Sequence, residues 1–304
     1  MRSRQLALLA LGACYSANPP LGSPCSAIGE CPNGQVCLLS AASPTCIATV
    51  TTGTWGPPTQ ITLAGTGDDD DPTLTDDLLI MYFNRDSDIY VTTRATANDP
   101  WAPPMIDDQL SSSADETTPE MSGDGLVMFQ SSERDGGMGG YDIWISTRAS
   151  VTAAWSTPVV VPELSSPEDD NACAPRDDLL EVVQSSDRGA SGTNDPTDLW
   201  LSDRTSRTGA WPKPIRLAIS DGSDDAPFPS ADGLELYFAD SPNGDQDLYV
   251  ARRATLDDDF GPPERIDELD SSDDDDDPWV SPDGHHIFFS RSTATTSTLW
   301  ESER

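Results

Sequence analysis

Five carboxylates recur at equivalent places along this chain: Asp69, Glu116, Asp170, Asp224 and Asp275. Each stands three residues before Pro72, Pro119, Cys173, Pro227 or Pro278, and two of them lie in runs as dense as GDDDDP and SSDDDDDP. Oxygen donors gathered in this way suit a hard cation, since Ca2+ takes six to eight oxygens from carboxylates, carbonyls and water. Set on one ring about 9 Å apart, such charges would repel by roughly 0.5 kcal/mol per pair even in water, and by more between low-dielectric walls. A cation ring is therefore one expectation, with Ca2+ as the candidate ion. The alternative places the acids on solvated loops, screened by salt and capping turns. Neither run has the D-x-[DN]-x-[DN]-G order of an EF-hand loop.

Which elements would bring these acids together is written in a repeat. Arg94, Arg148, Arg204, Arg253 and Arg304 are spaced by a period near 50 residues, the signature of a solenoid, propeller or array. Four residues before each stands Tyr90, Trp144, Trp200, Tyr249 or Trp300, and seven after the first four stands Trp101, Trp155, Trp211 or Phe260. Upstream, an aspartate recurs at Asp77, Asp124, Asp178, Asp232 and Asp283. Asp-Gly between extended runs is a hairpin signal because the turn needs φ > 0. Leu78 and Leu179 replace that glycine in two repeats, so their turns must differ or carry strain. Each repeat parses into four short strands, and no window keeps a helical period.

Four antiparallel strands per repeat make one propeller blade. The fifth repeat reaches only its third strand at Arg304, while an unpartnered phrase, TWGPPTQI, precedes the first. In a ring the early strand completes the last sheet. The prediction is an all-β, five-bladed β-propeller of four-stranded antiparallel blades over residues 53–304, closed by its N-terminal strand. The first strand of each blade should line the central channel, bringing the five acids to one mouth. A residue needed in every blade serves the blade, so each repeated Arg is expected on the third strand, paired with a carboxylate or carbonyl of the adjoining blade.

The phrase PEMSGDGLVMFQSSERDGGMGGYDIWISTR, with Trp155 seven residues on, resembles the WD40-like β-propeller repeat of the TolB type, over roughly residues 55 to 304. The resemblance implies a bacterial periplasmic or surface protein whose repeats form a protein-interaction platform. In that family a peptidoglycan-binding OmpA-type domain often accompanies them, and none is expected here. Five-bladed propellers also host arabinanase-type glycoside hydrolases, which makes polysaccharide hydrolysis the alternative function. Against it, a general acid and base need different environments, whereas these acids recur at equivalent positions. His285 and His286 are expected on a strand facing opposite ways, and no nucleophile elbow, phosphate loop or H-E-x-x-H is present.

A formal net charge of −36 with 17 Lys and Arg excludes nucleic acid, whose phosphates need basic grooves. It favours a protein or a cationic component of the envelope as partner. The N-terminus MRSRQLALLALGAC reads as an export signal over residues 1–13. Its end resembles a lipobox that would leave Cys14 for lipidation, and Ser16 points to the outer membrane if sorting follows its usual pattern. Contact with a membrane is expected through that anchor alone, and the protein is expected to be a monomer. In an exported chain Cys25, Cys31, Cys37 and Cys46 read as two disulfides stapling residues 14–52, with three pairings open. Their spacing lacks the paired C-x2-4-C of a zinc knuckle. Cys173 is expected to pack as a small buried side chain.

Overall fold

The computed structural model describes residues 21–25, 31, 35–38, 44–49, 53–189, 197–219, 223–242 and 244–304. The export signal and the lipidation candidate Cys14 lie outside them. The fold is all-β, with five four-stranded antiparallel sheets and a separate two-stranded hairpin, Gln35–Leu38 with Thr45–Ala48. The inner strands are Asp69–Leu74, Glu116–Met121, Asp170–Pro175, Asp224–Pro229 and Asp274–Val280. Each packs against the inner strands of its two neighbours, the fifth returning to the first, so the sheets form a closed propeller.

Closure follows the expected route. Thr59–Gln60 pairs antiparallel with Ser297–Glu303, placing Gln60 opposite Trp300 and Thr59 opposite Glu301. Around this pairing the Ile61 N–H donates to Leu299 O at 2.8 Å, the Gly56 N–H to Glu303 O at 2.8 Å and Ser302 Oγ to Gly56 O at 2.7 Å. The ring thus has no incomplete sheet, and no blade leaves its third strand as an open edge.

The repeated residues explain why each blade folds alike. Asp77, Asp124, Asp178, Asp232 and Asp283 each accept the N–H two residues on, at 2.9 to 3.1 Å. This fixes a turn whose next residue takes a positive φ. Gly125, Gly233 and Gly284 adopt it without a Cβ clash, whereas Leu78 and Leu179 sit at φ 60 and 58. The leucine turns therefore keep the shared shape and carry strain of about 1–2 kcal/mol each. Both leucine side chains are buried in the core, which offsets it.

The repeated arginines clasp that turn. Nε of Arg94, Arg148, Arg204, Arg253 and Arg304 donates to Leu78 O, Gly125 O, Leu179 O, Gly233 O and Gly284 O, all at 2.6 or 2.7 Å. Each guanidinium also lies over an aromatic ring, Trp101, Trp155, Trp211, Phe260 and, for Arg304, Trp55, at 3.8 to 4.4 Å from the centroid. The carbonyl is thus in the arginine's own blade rather than the adjoining one, and the arginine follows the third strand rather than lying on it. A second reach to the preceding blade is made by three: Arg148 to Tyr82 Oη at 2.9 Å, Arg253 to Glu181 at 2.7 Å and Arg304 to Tyr237 Oη at 3.2 Å.

Two further expectations meet the structure here. The four described N-terminal cysteines form Cys25–Cys37 and Cys31–Cys46, choosing one of the three open pairings, and Cys173 is a buried free thiol. The histidines need correction. His285 lies in the turn and only His286 begins the strand, so their rings do not face apart but meet edge to face at 5.1 Å.

Trp55 is 7% exposed and anchors the closing strand beneath Arg304 as Trp155 anchors the outer strand of its own blade beneath Arg148. Trp55→Ala should therefore cost about 3–5 kcal/mol in denaturant unfolding, similar to Trp155→Ala. A loss below about 1 kcal/mol for Trp55 alone would show that the seam does not hold the ring.

Candidate functional site: the acidic channel

The five expected ring acids lie at the start of the inner strands, but four of them turn their side chains into the blades and meet arginines. Asp69 pairs with Arg85 at 2.5 Å, Glu116 with Arg134 at 2.8 Å, Asp275 with Arg291 at 2.6 Å, and Asp170 with Arg188. The same guanidiniums donate to Ala64 O, Leu110 O, Leu269 O and Leu164 O on the loop leading into each inner strand. Each also covers the third-strand aromatic Tyr90, Trp144, Trp300 or Trp200. Glu116, Asp170 and Asp275 are completely buried. A buried carboxylate deprived of its only cation costs about 3–5 kcal/mol, so these acids tie blade to loop and are not open ligands in this arrangement.

The fourth blade departs from that pattern. Asp240 and Pro242 stand where the other blades carry arginine. Its strands set Asp224 opposite Asp240 and Asp240 opposite Asp247, a row of buried carboxylates. Arg265, from the outer strand, reaches Asp247 at 3.2 Å and Asp270 at 3.4 Å. Burial, then a hydrogen bond shared with Asp270, pushes Asp247 up to about 6.

What faces the axis is the next pair of residues in each inner strand. A β-bulge there shifts register between Asp70 and Thr73, Thr117 and Glu120, Asn171 and Ala174, Asp225 and Phe228, and Asp276 and Trp279. At its centre Asp71, Thr118, Ala172, Ala226 and Asp277 all have positive φ, between 42 and 55. The extra residue bends the strand and gathers Asp70, Asp71, Asp225, Asp276 and Asp277 from blades one, four and five. Asp71 is the hub. Its Oδ2 accepts Thr117 Oγ1 at 2.7 Å and the Thr118 N–H at 3.0 Å, while its own N–H donates to Asp277 Oδ2 at 3.3 Å. Ser290 Oγ donates to the same Asp277 oxygen at 2.6 Å.

None of these five is ion-paired with an arginine or lysine of the described residues. Burial is the first cause that raises the carboxyls of Asp70, Asp276 and Asp277 well above the usual range, and repulsion from Asp71, Asp225 and Asp276 respectively comes next. Asp225 is raised by burial against its hydrogen bonds. Glu120, deeper on the second inner strand, is raised by burial and then by Asp71. One oxygen of Asp70, Oδ1, is buried without a hydrogen bond among the described residues.

The cluster is crowded but not convergent. Among the described residues the group of three metal-type ligands whose atoms lie within 4.8 Å of one another is Cys25, Cys31 and Cys46, and their sulfurs are spent in disulfides. The channel carboxylates would meet an ion through intervening water, or receive the spread charge of a guanidinium or ammonium. Sequence reading singled out the acid that opens each bulge and missed those that follow it, Asp70, Asp71, Asp225, Asp276 and Asp277.

No protein-family model and no curated protein sequence matches this chain. Its fold is shared with solved structures. TolB from Agrobacterium tumefaciens is 21% identical with a TM-score of 0.50, covering 77% of this chain and 76% of that one. TolB from Acinetobacter baumannii is 16% identical with a TM-score of 0.51, over 89% of this chain and 63% of that one. An endo-arabinase from Bacteroides thetaiotaomicron is 13% identical with a TM-score of 0.58, over 81% and 97%. At these identities the likeness is one of fold, shared by TolB proteins and by an enzyme alike.

The raised channel acids fix the sign of a pH effect. A carboxyl with a higher pKa folded than unfolded holds its proton more tightly in the native state, so stability falls as pH rises from the ordinary value towards the folded one. Asp177, pushed up to about 7 by burial and Asp178, adds to the same window. The melting temperature should be higher at pH 5 than at pH 8, and Asp276→Asn should flatten that slope, measured by scanning calorimetry. A slope left unchanged by Asp276→Asn, or equally flattened by the exposed Asp257→Asn, would contradict this assignment.

Proposed function

We propose that this protein is a non-catalytic binding scaffold of the cell envelope, exported and lipid-anchored through Cys14, whose channel receives a basic segment of a protein partner. The observation that carries this reading is the division of its acids. Four of the five blade acids are neutralised by the chain's own arginines, whereas Asp70, Asp71, Asp225, Asp276 and Asp277 have no such cation among the described residues. Half-buried like charges left together favour an external cation or protons. A guanidinium or ammonium entering the channel supplies the charge and the donors without demanding a tight coordination sphere. Ca2+ is the smaller candidate, held by Asp70, Asp71, Asp276 and Asp277 with water completing its shell. The N-terminal disulfides support an oxidising compartment, and the TolB-type repeat supports an interaction role. The hydrolase alternative rests on likeness of fold to the endo-arabinase.

The test is a calorimetric titration with hexa-arginine and, separately, with Ca2+. Hexa-arginine should bind wild type at least tenfold more tightly than Asp71→Asn/Asp276→Asn, about 1.4 kcal/mol, while Asp257→Asn/Asp258→Asn, equal in charge but outside the channel, should bind as wild type does. Equal affinities for all three proteins would reduce the effect to net charge and defeat the proposal. Release of reducing sugar from arabinan would overturn the non-catalytic reading.

A further inference from the structure

The seam between the fifth and first blades departs from the other four junctions. At three of those the guanidinium of the repeated arginine is bound by the preceding blade, through Tyr82, Glu181 or Tyr237, and at the fourth Arg204 Nη1 donates to Gly209 O at 3.0 Å. At the closing seam the positions of Tyr82 and Tyr237 are taken by Phe288, and those of Glu181 and Glu235 by His286. Phe288 has no hydroxyl, and the His286 ring points its Nδ1 at Glu303, 3.5 Å away.

Arg94 is consequently held at one edge only. Its Nε donates to Leu78 O at 2.7 Å and its plane lies 4.2 Å from the Trp101 centroid, but Nη1 and Nη2 make no hydrogen bond or ion pair among the described residues. They open on a groove of about 380 Å3 lined by Arg94, Asn98, Trp101, His286, Glu301 and Glu303. Glu301, on the third strand of the closing sheet, faces the same groove and is similarly without a side-chain hydrogen bond among the described residues. The two charges feel one another: Arg94 is the first influence that opposes the upward push of burial on the Glu301 carboxyl. Yet no ion pair forms between them. The clasp on Leu78 and Trp101 holds the guanidinium, while Glu301 projects from the strand across the groove.

Opposite charges that face one cavity without touching suit a ligand carrying both. We infer that this groove binds a small zwitterion of the amino-acid or dipeptide class, its carboxylate on Nη1 and Nη2 of Arg94 beside the Trp101 face and its ammonium on Glu301. A simple anion is disfavoured by Glu301, Glu303 and Asp99 around the groove, and a simple cation leaves Arg94 unsatisfied. The volume falls at the small end of the range of ordinary ligand sites. Because its walls come from both ends of the ring, occupancy also braces the closure.

Three probes separate the possibilities on the full chain: glycylglycine, its N-acetyl derivative without the ammonium, and its amide without the carboxylate. Calorimetry, with the Trp101 indole resonance as local reporter, should show saturable millimolar binding of glycylglycine and at least tenfold weaker binding of both blocked forms. Glu301→Gln, which leaves the Arg94 clasp intact, should weaken glycylglycine about tenfold and remove its preference over the amide-blocked control's partner, the N-acetyl form. Failure of glycylglycine to saturate, equal binding of the blocked forms, or an unchanged affinity in Glu301→Gln would each overturn the inference. Arg94→Lys checks the other pole without deleting its charge: loss of the bidentate contact should weaken binding while the melting temperature without ligand reports any cost to the clasp.

Discussion

A ring of five sheets is joined by two residues of strand, Thr59 and Gln60, and everything inside it depends on that junction. So short a ladder supplies few backbone hydrogen bonds, and each contributes only about 1 kcal/mol net. The seam is held as well by what the repeat brings with the strand. Trp55 arrives in the place that Trp155 or Trp211 holds elsewhere, and Arg304 closes over it at 4.3 Å while gripping Gly284 O. A charged donor to a carbonyl and a cation over a ring are each worth more than a neutral backbone bond. Because those groups come from opposite ends of the described propeller, closing the circle and completing the fifth blade are one event.

Closure in turn compresses the inner strands towards the axis, where the bulges decide what they present. Alternation along a regular strand would send successive side chains to opposite faces. The bulge breaks that rule at one rung in every blade, and in blades one and five both residues that follow the ring acid are aspartates. The molecule therefore holds two kinds of carboxylate a residue apart. One kind is buried against a guanidinium and serves the blade. The other is half-buried against its own kind, with no arginine or lysine of the described residues paired to it.

Much of this was legible in the sequence. Period, blade number, closing strand and the structural character of the repeated arginine can be read from the spacing of Arg94 to Arg304 and the stray Trp55, because every blade must solve the same packing problem. The channel was less legible for physical reasons. The residues with positive φ at the bulge are Asp71, Thr118, Ala172, Ala226 and Asp277, with no glycine among them to advertise the conformation. The arginines that neutralise the ring acids also come from two alternative positions: Arg85 and Arg291 stand directly across from their acids, whereas Arg134 and Arg188 stand two residues further on. A search at fixed spacing does not align them. His285 was misplaced because a turn displaced it by one residue from the strand that its neighbour begins.

The same logic indicates where specificity can reside. Groups repeated five times are bound to a common structural task, and substituting any of them costs the blade. Departures from the repeat are released from that task. The fourth blade exchanges its arginine for Asp240 and Pro242, and the closing seam exchanges a tyrosine or glutamate for Phe288 and His286. In the first case the chain stacks acid against acid; in the second it leaves half of an arginine facing a groove. Each change gives up an internal contact that the neighbouring blades keep. In a ring whose stability is shared among similar junctions, one weaker junction is tolerable, and at the closing seam the part of the Arg94 guanidinium that it leaves uncovered is what a ligand can use.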